Sequence, residues 1–446
     1  MTDTATPPTT DAILVGGPDG TLSDQQVTAF VGEQLAAAGL DGRSVCVLVP
    51  DATRACPLPL LLDAVHGALH GRASAITVLV ALGTHQPMDA AALATLLGGS
   101  GDDRLPAVTV MNHAWWDPAT LATVGSIGAG RVSELSGGLL DSGVDVRVNR
   151  AVVDHDVTLI VGPVLPHEVV GFSGGNKYLF PGVSGPEMID LSHWLGALLT
   201  SAEIIGTRAI TPVRALIDEA AAMVPSQRLA LSVVTEPHGP GLHALAFGPP
   251  EASWAAAADV AARTHVRYLD RPVRRVLSLM PSRYADLWTG AKGFYKVEPV
   301  VAEGGQVVIH APHITEISVV HPEIVELGYH CRDYFVGQWE RFRHVPWADL
   351  AHSTHLRGQG SWDPEHGERN RVSVTLATGI PEDIVRAVNL DYMDPATVDI
   401  AAYEGDPDTF VEPHAGEILY RLGAAGASQG SGEPDGRGID LAGLEG

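Results

Sequence analysis

Hydrophobic positions along the chain fall into two alternating rhythms. Short β-branched runs at 44–50 (SVCVLVP) and 75–82 (AITVLVAL) are each followed by a helical pattern, at 57–70 and 88–97, and a third run occupies 157–163 (VTLIVGP). Strands apolar on both faces are covered on both faces, which predicts a mainly parallel sheet with helical crossovers. A second series begins at Arg275 (RVLSLMP), continues through 306–311 (QVVIHA) and 372–377 (VSVTLA), and ends in a helical pattern over 381–389. The pattern predicts an α/β fold of two α/β domains with mainly parallel sheets, 11–270 and 271–422, joined near 268–274, with the active site in the cleft between them. Residues 1–10 and 423–446 have no apolar period and read as flexible ends.

Composition narrows the function. The 446 residues hold 28 Lys plus Arg against 53 Asp plus Glu, a formal charge of -25, which argues against nucleic-acid partners and anionic membranes. No stretch reaches the roughly 20 apolar residues of a membrane helix, and 1–10 lacks the basic-then-apolar order of a secretory leader. Cys46, Cys56 and Cys331 are too few and too scattered for a disulfide framework or a thiolate metal cage, so a cytoplasmic location is expected. What stands out is 19 histidines.

In open α/β sheets ligands lie beyond the carboxyl ends of strands. Asp51-Ala52-Thr53-Arg54 follows the first run, Gly83-Thr84-His85 the second, and Pro166-His167-Glu168 the third. One Arg and two His should therefore meet on one rim. After them comes Phe172-Ser173-Gly174-Gly175-Asn176-Lys177, whose Ser-Gly-Gly backbone would let N–H groups approach an anion closely, although the Walker spacing is missing. Ser184 and Glu187 have the spacing of a capping box that opens a helix through His193, whose N-terminus is a second anion site.

These motifs, together with Pro181-Gly182, resemble the lactate racemase family, the enzymes that carry a nickel-pincer nucleotide. Their order fits, as do ten residues from His167 to Lys177 and sixteen more to His193. The likeness is strong from about Pro50 to Trp194 and thinner beyond. It implies a pyridinium-3-thioamide-5-thiocarboxylic acid mononucleotide tethered covalently to Lys177. Nickel would be held by sulfur, carbon and sulfur of that nucleotide and by His193. Imidazole suits Ni(II), and sulfur arriving with the cofactor explains the cysteine poverty. Candidates for the phosphate are Ser173, Gly174, Gly175 and the helix after Ser184. His85 and His167 would act as bases on the two faces of a 2-hydroxy acid, because imidazole titrates near neutrality. Arg54 would grip the substrate carboxylate, with Asp51 orienting it or touching the cofactor. The implied reaction removes the hydroxyl proton while Cα–H leaves as hydride, through a 2-keto acid, and implies cofactor-synthesis proteins as partners.

In the second domain Lys292 matches a family lysine that helps to hold the carboxylate. Thr289 stands where the lactate-specific pattern has Gln, which points to a substrate larger or more polar than lactate. His313 and Trp339 could face the substrate. His352 and His355 have a spacing that suits a metal on one helix face, yet no third ligand accompanies them and no zinc site is expected. Two other readings remain open: a hydrolase with His85, His167 and His193 directly on a metal, and a non-catalytic binder of a nucleotide or sugar acid.

Overall fold

A computed structural model describes residues 11–99 and 104–423; the ends expected to be flexible, 1–10 and 423–446, lie outside the described residues apart from Gly423. The first sheet has seven strands in the order Ile13–Gly16, Leu242–Gly248, Gln227–Thr235, Val157–Pro163, Ser44–Val49, Ala75–Val80 and Val108–Asn112. From Gln227–Thr235 onward every pairing is parallel; the two outermost on the other side are antiparallel. Along Val157–Pro163 every residue is buried, the reason this run shows no polar alternation.

A second sheet of five strands runs Asp391–Tyr392, Val372–Thr378, Val301–Ala311, Val273–Leu279 and Thr409–Glu412, all parallel. The expected helices form at Leu58–Leu69, Ala90–Leu97 and Glu382–Ala387, each within a few residues of the predicted span. The mixed α/β architecture with mainly parallel sheets is as the apolar pattern predicts.

The halves of the chain interlock. Helix Trp347–Arg357 packs on helix Pro186–Leu198, and Phe335, Phe342, Leu350 and Ala351 share one apolar cluster with Trp194 and Leu198. Trp339 belongs to that packing: its indole stacks on Trp194 with centroids 5.7 Å apart and planes 2° from parallel. No helix among the described residues is long and apolar enough to cross a membrane.

Candidate active site

Val157–Pro163, Ser44–Val49 and Ala75–Val80 are neighbours in the sheet, so whatever follows their carboxyl ends must meet. Asp51, Arg54, His85 and His167 line one cavity, with Ser173, Gly174, Lys177 and His193 from the segment that follows. A backbone bond from Gly83 N–H to the Gly182 carbonyl, 3.0 Å, ties the second strand end to the Pro181-Gly182 turn. The opposite wall comes from the second half of the chain: Trp288, Lys292, Tyr295, His352 and His355. Trp288 Nε1–H donates to Thr84 Oγ1 at 3.3 Å, and the His321 ring reaches the Thr84 carbonyl at 3.1 Å, closing the two walls together beside His85.

The two histidines on the strand ends are held differently. His85 Nδ1–H donates to the Asp51 carboxylate, so Nε2 of the neutral ring keeps its lone pair. His167 Nδ1 accepts from the Val169 N–H at 3.1 Å, so its proton sits on Nε2; the Glu168 carboxylate lies 3.3 Å from the same Nδ1. Burial lowers the His167 pKa well below the ordinary value despite Glu168. Asp51, expected to orient Arg54 or touch the cofactor, spends its oxygens elsewhere. One takes His85, the other the N–H and hydroxyl of Thr53 at 3.0 and 2.6 Å. Burial pushes the Asp51 carboxyl up, but His85 and Thr53 outweigh it and hold it far below the usual range.

Cations dominate the cavity of this strongly acidic chain. Among the described residues Arg54, Lys177 and Lys292 have no carboxylate within ion-pair distance, and Lys177 Nζ has no hydrogen-bond partner. Lys292 Nζ reaches only the Thr289 carbonyl, at 3.3 Å. Burial, reinforced by Arg54, brings the Lys177 ammonium down to about 7 and Lys292 to about 8. Burial alone would raise Glu168, yet His167 and Lys292 hold it well below its ordinary value. An anion entering here would meet cations that no carboxylate contacts directly.

His193 is set as a ligand would be. Its Nδ1–H donates to the Ile189 carbonyl one turn back at 2.7 Å, which fixes the tautomer and leaves Nε2 unprotonated. Burial, with Lys177 nearby, lowers its pKa to about 3, so the ring is neutral at physiological pH. Among the described residues no three His, Cys, Asp or Glu side chains gather around one metal position. His85, His167 and His193 therefore do not form the cluster that a directly ligated hydrolase would need.

Several local expectations give way to tertiary partners. The capping box does not form: helix Pro186–Leu198 starts from Gly185 with no side-chain cap. Arg147 from the neighbouring strand draws Glu187 into an ion pair. Ser184 is fully buried, its hydroxyl donates to the Pro181 carbonyl at 3.3 Å, and it does not line the cavity. The Ser-Gly-Gly run is shaped by packing. Gly174 has φ +85°, and a Cβ there would come within 2.5 Å of Val164 Cγ2. At Gly175, outside the cavity lining, a Cβ would sit 2.9 Å from Trp254 Cβ. Ser173 Oγ accepts from Leu165 N–H and donates to the Pro163 carbonyl, bracing the loop. His313 lies outside the cavity lining and contacts the Tyr284 carbonyl. Tyr295 and Trp288 are cavity residues that sequence reasoning left without a role, and nothing in their local pattern marks them; His352 and His355, noted in the sequence only for their helical spacing, line the cavity as well.

Comparison with known proteins bears on the family and the fold. Residues 29–205 match the lactate racemase N-terminal domain. Lactate racemases from Thermoanaerobacterium thermosaccharolyticum and Lactiplantibacillus plantarum are each 24% identical, over 155 and 152 residues; each alignment takes 34% of this chain and 32% of the relative. The chain thus matches about a third of the length of these curated relatives. Over the whole fold, a crystal structure of a protein from Thermotoga maritima superposes with a TM-score of 0.84 at 31% identity, covering 92% of this chain and 100% of that one. The lactate racemase apoprotein from T. thermosaccharolyticum gives a TM-score of 0.68 at 17% identity over 92% and 94% of the two chains, a likeness of fold. The chain carries a lactate racemase N-terminal domain over residues 29–205 and shares the overall fold of a lactate racemase apoprotein.

Proposed function

We propose that this protein is a racemase or epimerase of a 2-hydroxy acid, with a nickel-pincer nucleotide tethered to Lys177 and substrate bound between the two walls of the cavity. The observation that carries this reading is one cavity lined by two differently protonated histidines and by three cations without carboxylate partners, Arg54, Lys177 and Lys292. The residues present fit the group. Lys177 offers a half-buried amine with no hydrogen-bond or ion-pair partner among the described residues, brought down to about 7 and so available as the free base that acylation requires. His193 offers an unprotonated Nε2 whose ring is fixed from behind, the arrangement usual for a metal-binding imidazole. Held by Lys177 and His193, such a group would supply a hydride acceptor and donor.

The protein's own residues do the rest. Arg54 grips the carboxylate through its planar fork and Lys292 adds charge beside it. His85, with Asp51 behind it, removes the hydroxyl proton through Nε2 as the Cα–H pair departs, giving the 2-keto acid; Asp51 steadies the imidazolium that forms. His167 Nε2–H holds the substrate oxygen. In the opposite sense His167 is the base in its other tautomer: its single proton sits on Nδ1, turned from the Val169 N–H to the Glu168 carboxylate 3.3 Å away, and Nε2 is free to take the hydroxyl proton. Return of hydride and proton on either face restores one enantiomer or the other with no net oxidation.

The test is production of the protein alongside cofactor-synthesis proteins, followed by polarimetry on single enantiomers and intact-mass analysis. Loss of rotation together with a mass gain mapped to Lys177 is expected. A protein that never gains the nucleotide, or gains it and inverts no 2-hydroxy acid, refutes the reading.

A further inference from the structure

Helix Trp347–Arg357 carries two histidines that the reaction above does not use. His352 and His355 stand three positions apart on one helix face and line the same cavity as His85, His167 and Lys292. They are only 8% and 4% exposed. The His352 ring lies flat against the Trp288 indole, centroids 3.9 Å apart, and its Nε2–H donates to the Trp288 carbonyl at 3.0 Å. A carbonyl only accepts, so Nδ1 of the neutral ring bears a lone pair, and that atom is buried with no hydrogen-bond partner. His355 uses Nδ1 on the Ser201 hydroxyl, and its Nε2 is likewise buried and unpartnered. Unpaired buried polar atoms are costly unless something else satisfies them.

The chemistry of this wall selects its ligand. An aliphatic tail would leave both nitrogens unpaired. A second carboxylate would face the lone pair of His352 Nδ1 and the Glu168 carboxylate in the same cavity. A hydroxyl satisfies both rings, donating to His352 Nδ1 and taking either role toward His355 Nε2. Trp288 joins this wall to the rim beside His85, and Lys292 follows it by four residues, so the wall stands next to the carboxylate end of the substrate.

Resting on the racemase reading, we propose that His352 and His355 recognise hydroxyl groups beyond C2, and that the substrate is a polyhydroxylated monocarboxylic acid of the sugar-acid type. A short aliphatic 2-hydroxy acid or a dicarboxylate would not satisfy this wall.

Calorimetric titration of the purified full chain with five- and six-carbon aldonates and with 2-hydroxyhexanoate tests this directly. 2-Hydroxyhexanoate keeps the carboxylate and a six-carbon chain but has no hydroxyl beyond C2. The best aldonate should bind about tenfold or more tightly, because a site built for hydroxyls penalises the analogue that lacks them. His352→Phe and His355→Leu should each cut that ratio severalfold. His352→Asn and His355→Gln, whose amides place a polar atom near the lost nitrogen, should keep most of it and keep the test readable if the apolar variants fail to fold. Equal affinities, tighter binding of 2-hydroxyhexanoate or malate, or an aldonate preference untouched by the variants would overturn the proposal. The cofactor-loaded enzyme is then given the same acids and the C2 configuration is followed by NMR. Inversion of 2-hydroxyhexanoate alone overturns the hydroxyl assignment and leaves the racemase reading standing. Inversion of none, with the aldonate preference present, overturns the racemase reading and leaves the recognition intact.

Discussion

Lys177 is the residue at which function and stability pull hardest against each other. Its ammonium is half-buried beside Arg54, has no hydrogen-bond or ion-pair partner among the described residues, and falls from the ordinary 10.5 to about 7. At about 1.4 kcal/mol per pH unit, that difference makes the folded state of the cofactor-free protein less stable at pH 7 by at most about 4 kcal/mol than if the side chain were neutral throughout, less the part that solvent screens. Lys177→Met, an unbranched apolar replacement of similar length, removes that cost. The sign follows from proton counting: between pH 7 and about 10.5 the unfolded chain binds the Lys177 proton and the folded chain does not, so raising the pH stabilises the wild type. Denaturant titration of cofactor-free wild type and Lys177→Met at pH 7 and pH 10 is the assay. The variant should be more stable by about 2 to 4 kcal/mol at pH 7, the gap should shrink toward zero by pH 10, and the variant should never gain the nucleotide mass. A variant less stable than wild type, or a gap independent of pH, would refute the reasoning.

Further outcomes follow from the same geometry. Asp51→Asn removes the carboxylate that His85 Nδ1–H and Thr53 share, and a charge-assisted bond of about 1.5–3 kcal/mol predicts a fall in kcat of roughly ten- to a hundredfold or more, read by steady-state kinetics. Because the Asp51 carboxyl is held below its ordinary value, its stabilising effect is present above the unfolded pKa and lost on acidification; melting curves of wild type and variant should converge as pH falls below about 4. Gly174→Ala forces a side chain onto φ +85° and against Val164, so chemical denaturation should show a loss of about 1–3 kcal/mol. Trp339→Ala empties the stack on Trp194 and should cost about 2–4 kcal/mol in denaturant while leaving KM unchanged, which separates packing from substrate contact.

The parallel sheets were legible because a strand covered on both faces has no polar alternation to show, and that is a property of the run itself. Asp51, Arg54, His85 and His167 were legible as a group because each follows such a strand, and three adjacent parallel strands deliver their carboxyl ends to one place. The linear motifs thus determined the first wall of the cavity. Which atom each side chain engages was settled only in three dimensions. Glu187 has the spacing to cap its helix, yet Arg147, forty residues earlier, is nearer. Asp51 has Arg54 three residues away, yet its oxygens go to His85 and Thr53. Of the second wall only Lys292 was legible, and for the same reason. His352 and His355 share a helix face by their spacing alone, but they become cavity residues because that helix packs across Pro186–Leu198, about 160 positions away in sequence. Local periodicity fixes which face of an element is buried; the choice among competing partners for one polar atom depends on distances that only the packed chain defines.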